Sequence, residues 1–273
     1  MVLDHGSLSR MLEVAIVAAR LAGQRAMEEM NFVKATVKNA SELVTQADMI
    51  CQQIAVERIK ENYPDHGFIA EEGEDGKLFK QPPRGSETIW WAIDPIDGTN
   101  NFAHGLPIFT VSVAAIYQGF PVVGAIFEPA TDSMFTGVKD GEAQLNARRI
   151  LAGDDDMGQF SSVALDSHFP TSNGVPRWVC EIIEKTRYRN LGTTALQISY
   201  VAKGSLVATI ASTPKLWDLA AGAIICWCAG AVLTDWQGND IFPVDPESYD
   251  GRHFQTIVAN KKVHKHLVDL INP

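Results

Sequence analysis

Paired cysteines, an excess of basic charge, internal repeats and long apolar runs are all missing from this chain. No apolar run reaches the roughly 20 residues that cross a bilayer as a helix, so no membrane partner is expected. Met1-Val2-Leu3-Asp4-His5-Gly6 lacks the basic and apolar regions of a secretory signal, and a cytoplasmic protein is expected. The four cysteines (Cys51, Cys180, Cys226 and Cys228) form no framework of paired spacings. Cys226 and Cys228 fall within the apolar stretch Ile224–Ala229, where free thiols of a core are expected. A net charge of −10 excludes the basic face that direct nucleic-acid binding requires. The same charge would repel an anionic substrate unless bound cations offset it locally.

What is present is core-forming material. With 273 residues, 46% of them hydrophobic, the chain can build one large domain or two packed lobes. Apolar periodicity predicts a helix over Ser7–Met30, a polar loop over Asn31–Ser41 and a helix over Asp48–Asn62. A short strand, Gly67–Ala70, an exposed loop, Gly73–Arg84, and a strand, Thr88–Ile93, follow. Antiparallel strands are expected at Thr110–Tyr117, Val122–Phe127, Asp132–Val138 and Glu142–Asn146, separated by turn residues. From about residue 150 the pattern mixes: strands at Ser162–Asp166, Leu206–Ala211, Val232–Asp235 and Thr256–Ala259, and helices at Pro176–Thr186, Ala195–Lys203, Trp217–Gly230 and Lys261–Ile271. An α+β lobe over residues 1–150 and an α/β lobe over 151–273, sharing a cleft, is the economical architecture.

Chemistry concentrates in Asp94-Pro95-Ile96-Asp97-Gly98-Thr99, directly after the apolar run Ile89-Trp90-Trp91-Ala92-Ile93. Two carboxylates and the carbonyls between them, placed where a strand runs out, suit a hard cation such as Mg²⁺, which takes oxygen ligands and leaves room for water and phosphate. Glu71 ends another strand, Asp218 opens a helix, and Asp48 opens the second helix, each at an element end where sites are built. Other readings stay open for each one alone. Asp218 could simply cap its helix, Glu71-Glu72 could be a solvated strand end, and Asp94…Asp97 a conformational turn. Thr99-Asn100-Asn101-Phe102 looks like a helix start, whose backbone N–H groups attract phosphate. His104, beside Gly105 and Pro107, reads as part of a shaped loop, and Trp90, Trp91 and Trp217 as packing walls.

In combination these stretches resemble the magnesium-dependent, lithium-sensitive inositol monophosphatase family of sugar phosphatases. The resemblance is carried by Ile69-Ala70-Glu71-Glu72, by Trp91 through Pro107 and by Trp217-Asp218-Leu219-Ala220-Ala221-Gly222. Weaker echoes at Leu43–Asp48 and Leu191–Ala195 extend it over nearly the whole chain. It implies a layered αβαβα sandwich, commonly homodimeric, that hydrolyses a small phosphate ester with two or three Mg²⁺ ions. By position it implies that Glu71, Asp94, Asp97, Asp218 and the Ile96 carbonyl ligate metal. Thr99 with Glu71 would activate water, with Asp48 assisting. The backbone of Gly98 and Thr99 would hold phosphate, and Gly192 and Thr193 would line the substrate pocket.

One departure concerns the substrate. Family members carry a glutamate seven residues before the Trp-Asp aspartate, where it grips inositol hydroxyls; here that position is Ala211. An alanine cannot accept a hydrogen bond from a polyol. An inositol-1-phosphate-like ester, histidinol phosphate, fructose bisphosphate and a nucleotide phosphate therefore all stay open, as does a regulatory role at the transcription machinery, which some bacterial members of the family have. Asp97→Asn is expected to abolish phosphatase activity with the fold intact.

Overall fold

A computed structural model of the chain describes residues 3–30, 35–37, 43–74, 77–84, 88–166 and 174–273. The first half runs α1 (His5–Glu29), β1 (Ala35–Val37), β2 (Leu43–Thr45), α2 (Gln46–Lys60), β3 (Gly67–Ala70), β4 (Phe79–Gln81), β5 (Ile89–Asp97) and α3 (Thr99–Ala103). Next come β6 (Thr110–Tyr117), β7 (Phe120–Glu128), β8 (Ser133–Val138), β9 (Gln144–Leu145) and β10 (Arg148–Arg149). The remainder is β11 (Ser162–Leu165), α4 (Arg177–Lys185), β12 (Arg187–Arg189), α5 (Thr194–Ala202), β13 (Ala208–Ala211), α6 (Leu216–Ala229), β14 (Val232–Asp235), β15 (Thr256–Ala259) and α7 (Lys261–Ile271).

Eight strands form one sheet in the order β10-β9-β8-β7-β6-β5-β3-β4, and five form a second in the order β12-β11-β13-β15-β14. Helices α1 and α2 cover one face of the large sheet; α5 and α6 lie between the two sheets; α4 and α7 cover the far side of the small sheet. The layers read αβαβα, the architecture that the family resemblance implies. Most of α6 is buried, because it is sandwiched between two sheets, and this explains the unbroken apolar composition of Leu216–Ala229. Cys226 is a buried thiol and Cys228 a half-buried one, and all four cysteines are free.

Helix α1 shows how local sequence sets packing. Asp4 caps it by accepting from the Ser7 N–H (2.7 Å), and its buried stripe is mostly alanine, with Gly23 near the end. Small residues let the helix approach closely: a Cβ on Gly23 would stand 2.6 Å from the Phe127 ring. The β6–β7 hairpin turns through Gln118 and Gly119, both at positive φ, the twist that matches two-residue hairpins. The expected loop at Gly73–Arg84 contains β4, an edge strand pairing with β3. The expected loop at Asn31–Ser41 lies mostly outside the described residues; its described part, Ala35–Val37, is a strand paired with β2. Strand β12, three exposed residues, has no alternation that sequence could register.

At Gly124 on β7, α6 packs closely on the large sheet, since a Cβ there would meet the Ala221 carbonyl oxygen at 2.7 Å and the Ile224 Cγ2 at 2.6 Å. Backbone cannot yield as a side-chain tip can. Gly124→Ala should therefore cost about 1–3 kcal/mol of stability, the range for overpacking a core, read as a lowered urea midpoint with an unchanged slope.

Candidate active site

In an unbroken strand Asp94 and Asp97, an odd number of residues apart, would point to opposite faces of the sheet. They do not, because β5 is irregular between them. Asp94 pairs with Ser112 and Asp97 with Thr110, so three steps along β5 oppose two along β6. This one extra residue reverses the alternation. Upstream, Ile89, Trp91 and Ile93 face α1 and α2 while Trp90 and Ala92 face α6; downstream, Ile96 faces α1 and α2 again. Asp94 and Asp97 thus both project toward the α5–α6 layer. Pro95, with no N–H to give a ladder, suits the irregularity, and the Ile96 N–H bonds to Asp94 Oδ1 at 3.0 Å.

Strand β3 runs parallel to β5 with Ala70 opposite Ile93, which sets Glu71 alongside Asp94. Ile69 faces the α6 side, so Glu71, two residues on, projects the same way. Asp218 arrives from the other layer on the first turn of α6. Ser112, the register partner of Asp94, donates to the Trp217 carbonyl at 2.9 Å and so holds the start of α6 against the large sheet. Tyr249 fixes the same turn from behind, accepting from the Leu216 N–H at 3.1 Å. The outcome is a cavity of about 160 Å³ lined by Glu71, Asp94, Ile96, Asp97, Gly98, Thr99, Thr213, Lys215, Trp217 and Asp218.

Two aspartates use the same device. Asp48 and Asp218 each occupy the third position of a helix, and each gives one oxygen to the backbone N–H just before it, Thr45 at 2.8 Å and Lys215 at 2.7 Å. Capping and site chemistry are therefore not alternatives for Asp218: one oxygen caps while the carboxyl also contacts Asp94. For Asp48 the other oxygen receives the Thr99 hydroxyl at 3.2 Å, and that hydroxyl also lies 3.0 Å from the Ile96 carbonyl. With its single proton directed to these acceptors, Thr99 offers its lone pairs to a donor in the cavity. Gly98 turns the chain at φ +104, and a Cβ there would press on the Ile108 and Gly192 carbonyls.

Asp97 is the most heavily bonded of the set. It receives the Thr193 hydroxyl, the Ala195 N–H at 2.6 Å, the Thr194 N–H at 3.2 Å and the Thr110 hydroxyl at 3.4 Å. Its carboxylate is thus seated on the N-terminus of α5, where free N–H groups and the helix dipole favour an anion. Asn101 ties the same junction, donating to the Ile108 and Leu191 carbonyls at 2.8 and 2.7 Å.

Burial dominates the electrostatics. It drives the Asp94 carboxyl well above its usual range, with Glu71, Asp218 and Asp97 adding repulsion. Asp218 is pushed up to about 8, first by burial and then by Asp97. Asp97 is raised by burial despite its donors, and Asp48 rises to about 6 for the same first reason. Among the described residues, no three Asp, Glu, His or Cys side chains form a finished metal cluster; the carboxylates rim the cavity. Their donors are hard oxygens, and the Ile96 carbonyl keeps a lone pair after bonding Thr99, so the set fits Mg²⁺.

The family model of the inositol monophosphatase family matches residues 7–272. The chain belongs to the inositol monophosphatase family. It is 33% identical over 240 residues to the Nus factor SuhB of Vibrio cholerae, covering 84% of this chain and 86% of that protein. It is 32% identical over 249 residues to inositol monophosphatase 1 of Solanum lycopersicum, covering 86% and 88%. The crystal structure of the extragenic suppressor protein suhB from Bartonella henselae superposes with a TM-score of 0.86 at 27% identity, covering 96% of this chain and 98% of that one.

Within this inositol monophosphatase fold, several residues take places that sequence reasoning did not foresee. Thr193 is buried behind Asp97 instead of lining the cavity, and Gly192 packs at positive φ against the Asn101 side chain. Ala211 is also outside the lining; its carbonyl accepts from the Trp236 indole at 3.1 Å. Thr213 and Lys215 stand at the cavity instead, with the Lys215 Nζ 5.5 Å from the Trp217 ring. No acidic residue precedes Asp218 on its own segment, but Asp166 at the end of β11 reaches across to the Thr213 hydroxyl at 2.9 Å and the Ser212 N–H at 3.3 Å. Asp166 carries the same signal as the other acidic positions, a carboxylate at a strand end, but is not among the expected site residues; nothing in the local sequence marks Thr110 or Ser112, because their roles depend on strand order. His104 is an exposed loop residue with Nδ1 2.8 Å from the Asn100 carbonyl. Trp217 is a cavity wall, while Trp91 lies in the core, donating to His66 at 2.9 Å.

Because Asp97 also docks α5, Asp97→Asn turns an amide N–H₂ toward a backbone donor, so an intact fold is no longer the expectation for that variant. The docking itself is tested by Thr193→Val, which removes a donor to Asp97 and the α5 cap at near-equal volume. It should cost about 0.5–2 kcal/mol in urea unfolding, the range for a lost cap. A second prediction concerns pH. Carboxyls with raised folded-state pKa values bind protons that the unfolded chain releases, so stability falls as pH rises between the two values. The melting temperature of EDTA-treated protein should rise as pH is lowered from 8 to 6, and saturating Mg²⁺ should flatten that slope. A flat profile in EDTA would contradict it.

Proposed function

We propose that this protein is a Mg²⁺-dependent phosphomonoesterase acting on a small sugar or polyol phosphate. The observation that carries the reading is the convergence of Glu71, Asp94, Asp97 and Asp218 with the Thr99 hydroxyl on one small cavity. Metal bound there supplies the positive charge that a phosphate dianion, an attacking water and a departing alkoxide all require. The remaining work falls to the chain. Thr99, oriented by Asp48 and the Ile96 carbonyl, accepts a hydrogen bond from the attacking water, and Glu71 takes its proton. The turn at Gly98 presents backbone N–H groups to phosphate. Phosphate-ester hydrolysis is among the slowest uncatalysed reactions, which is why so much charge is gathered in so little space.

Recognition of the alcohol falls to the Thr213–Lys215 segment, not to Ala211. A cation and a hydroxyl at the mouth of the cavity favour an ester whose alcohol carries acceptor groups. In the same reading the protein is a cytoplasmic, lithium-sensitive homodimer. A second reading has separate support: the Vibrio cholerae relative is a Nus factor, so a role at the transcription machinery could coexist with catalysis.

Phosphate release with Mg²⁺ over inositol, histidinol, hexose, bisphosphate and nucleotide monoesters tests the reading directly. At least one ester should turn over, and Thr99→Ala should lower kcat on it by about 10²–10⁴, the range for a lost acid–base partner. No release from any ester would reject it. Capture of transcription proteins undiminished by Thr99→Ala would support the second role.

A further inference from the structure

Glu71 is the first residue past the end of β3, where the ladder no longer holds the backbone. What holds it is a side chain from α2. The Glu72 N–H donates to Gln52 Oε1 at 2.9 Å, and Gln52 Nε2 donates to the Glu72 carbonyl at 2.5 Å. Both the N–H and C=O of one residue are thus met by one primary amide, as a neighbouring strand would meet them. Only one orientation of the amide satisfies both bonds. Gln52 and Glu72 are both buried, at 7% exposure, so water does not compete for these groups.

Gln52 lies one helical turn beyond Asp48 on the same buried face of α2. The two side chains therefore leave one rigid helix for two parts of the site: Asp48 reaches Thr99, and Gln52 reaches the backbone beside Glu71. These are the two residues assigned to the attacking water. We propose that Gln52 is a positioning residue for Glu71: it carries the pairing of β3 two residues past its end, to Glu72, so that the Glu71 carboxylate is turned into the cavity at a fixed distance from Thr99. The inference rests on the phosphatase reading above. It concerns a residue that no cavity lining or motif marks, and Glu71 performs the chemistry.

Gln52→Met keeps length and volume and removes both bonds; Gln52→Asn keeps the amide but shortens its reach, and serves as the milder variant. Loss of a group that orients a metal ligand typically costs 10–100-fold in metal affinity or activity. The Mg²⁺ concentration that half-saturates both phosphate release and the Mg²⁺-induced rise in melting temperature should increase about tenfold or more in each variant. Ile59→Val, a core truncation on the same helix, controls for stability: it should lower the melting temperature but leave Mg²⁺ half-saturation at the wild-type value. Wild-type half-saturation in both Gln52 variants, or an equal rise in Ile59→Val, overturns the proposal while leaving the phosphatase reading intact. Absence of any Mg²⁺ response in the wild-type protein would instead reject the phosphatase reading, and this inference with it.

Discussion

Repulsion among carboxylates is the constraint around which this structure is organised. Asp94 and Asp97 are buried, Asp218 is half-buried, Glu71 stands beside them, and among the described residues of the lining Lys215 alone carries positive charge. Left free, such groups would separate or take up protons. The fold prevents separation by fixing each one through its backbone or second oxygen: β5 and its irregularity for Asp94, α5 for Asp97, the α6 cap for Asp218, and β3 with Gln52 for Glu71. In the proposed reading, the repulsion held in this way is relieved when a dication binds.

Those fixings also join the layers. Asp97 belongs to the large sheet, yet its carboxylate is bonded by the first turn of α5; Ser112 on the same sheet holds the first turn of α6. The cavity therefore lies where two helix N-termini meet the end of β5. Helix N-termini are the natural neighbours of anions, and here they seat acidic side chains. Stability and the proposed activity cannot be separated cleanly at such a place, and Thr99, whose hydroxyl bonds Asp48 and the Ile96 carbonyl, is a simpler probe of that chemistry than Asp97.

Much of the layout was legible from periodicity. Strands β14 and β15 and helix α7 have the expected bounds, and the helices α4, α5 and α6 differ from expectation by a residue or so at each end. Strand β4 was not legible, since Phe79–Gln81 sits in a stretch rich in turn residues, and neither was β12, whose exposed residues carry no alternation. The acidic positions were legible because each falls at an element end. Their supports were not. Ser112 and Thr110 are ordinary strand residues until the register sets them opposite Asp94 and Asp97, and Gln52 reads as one more polar helix residue until α2 is laid on β3. Thr193 and Ala211 show the converse: family position suggested the pocket, and both are buried outside the cavity lining.

Sequence by itself determined the chemistry available here: hard oxygen donors, a hydroxyl, a turn that only glycine makes easily, and apolar strands to deliver them. It also determined that Asp94 and Asp97 are separated by an odd count, which in a plain strand would set them on opposite faces. Only the tertiary structure decided that they share a face, because the extra residue in β5 is defined by pairing with β6 and has no meaning for an isolated strand. The same holds for the contact between Asp97 and Ala195, 98 positions apart. Residue types travel with the chain, whereas register and helix docking exist only once distant segments have packed.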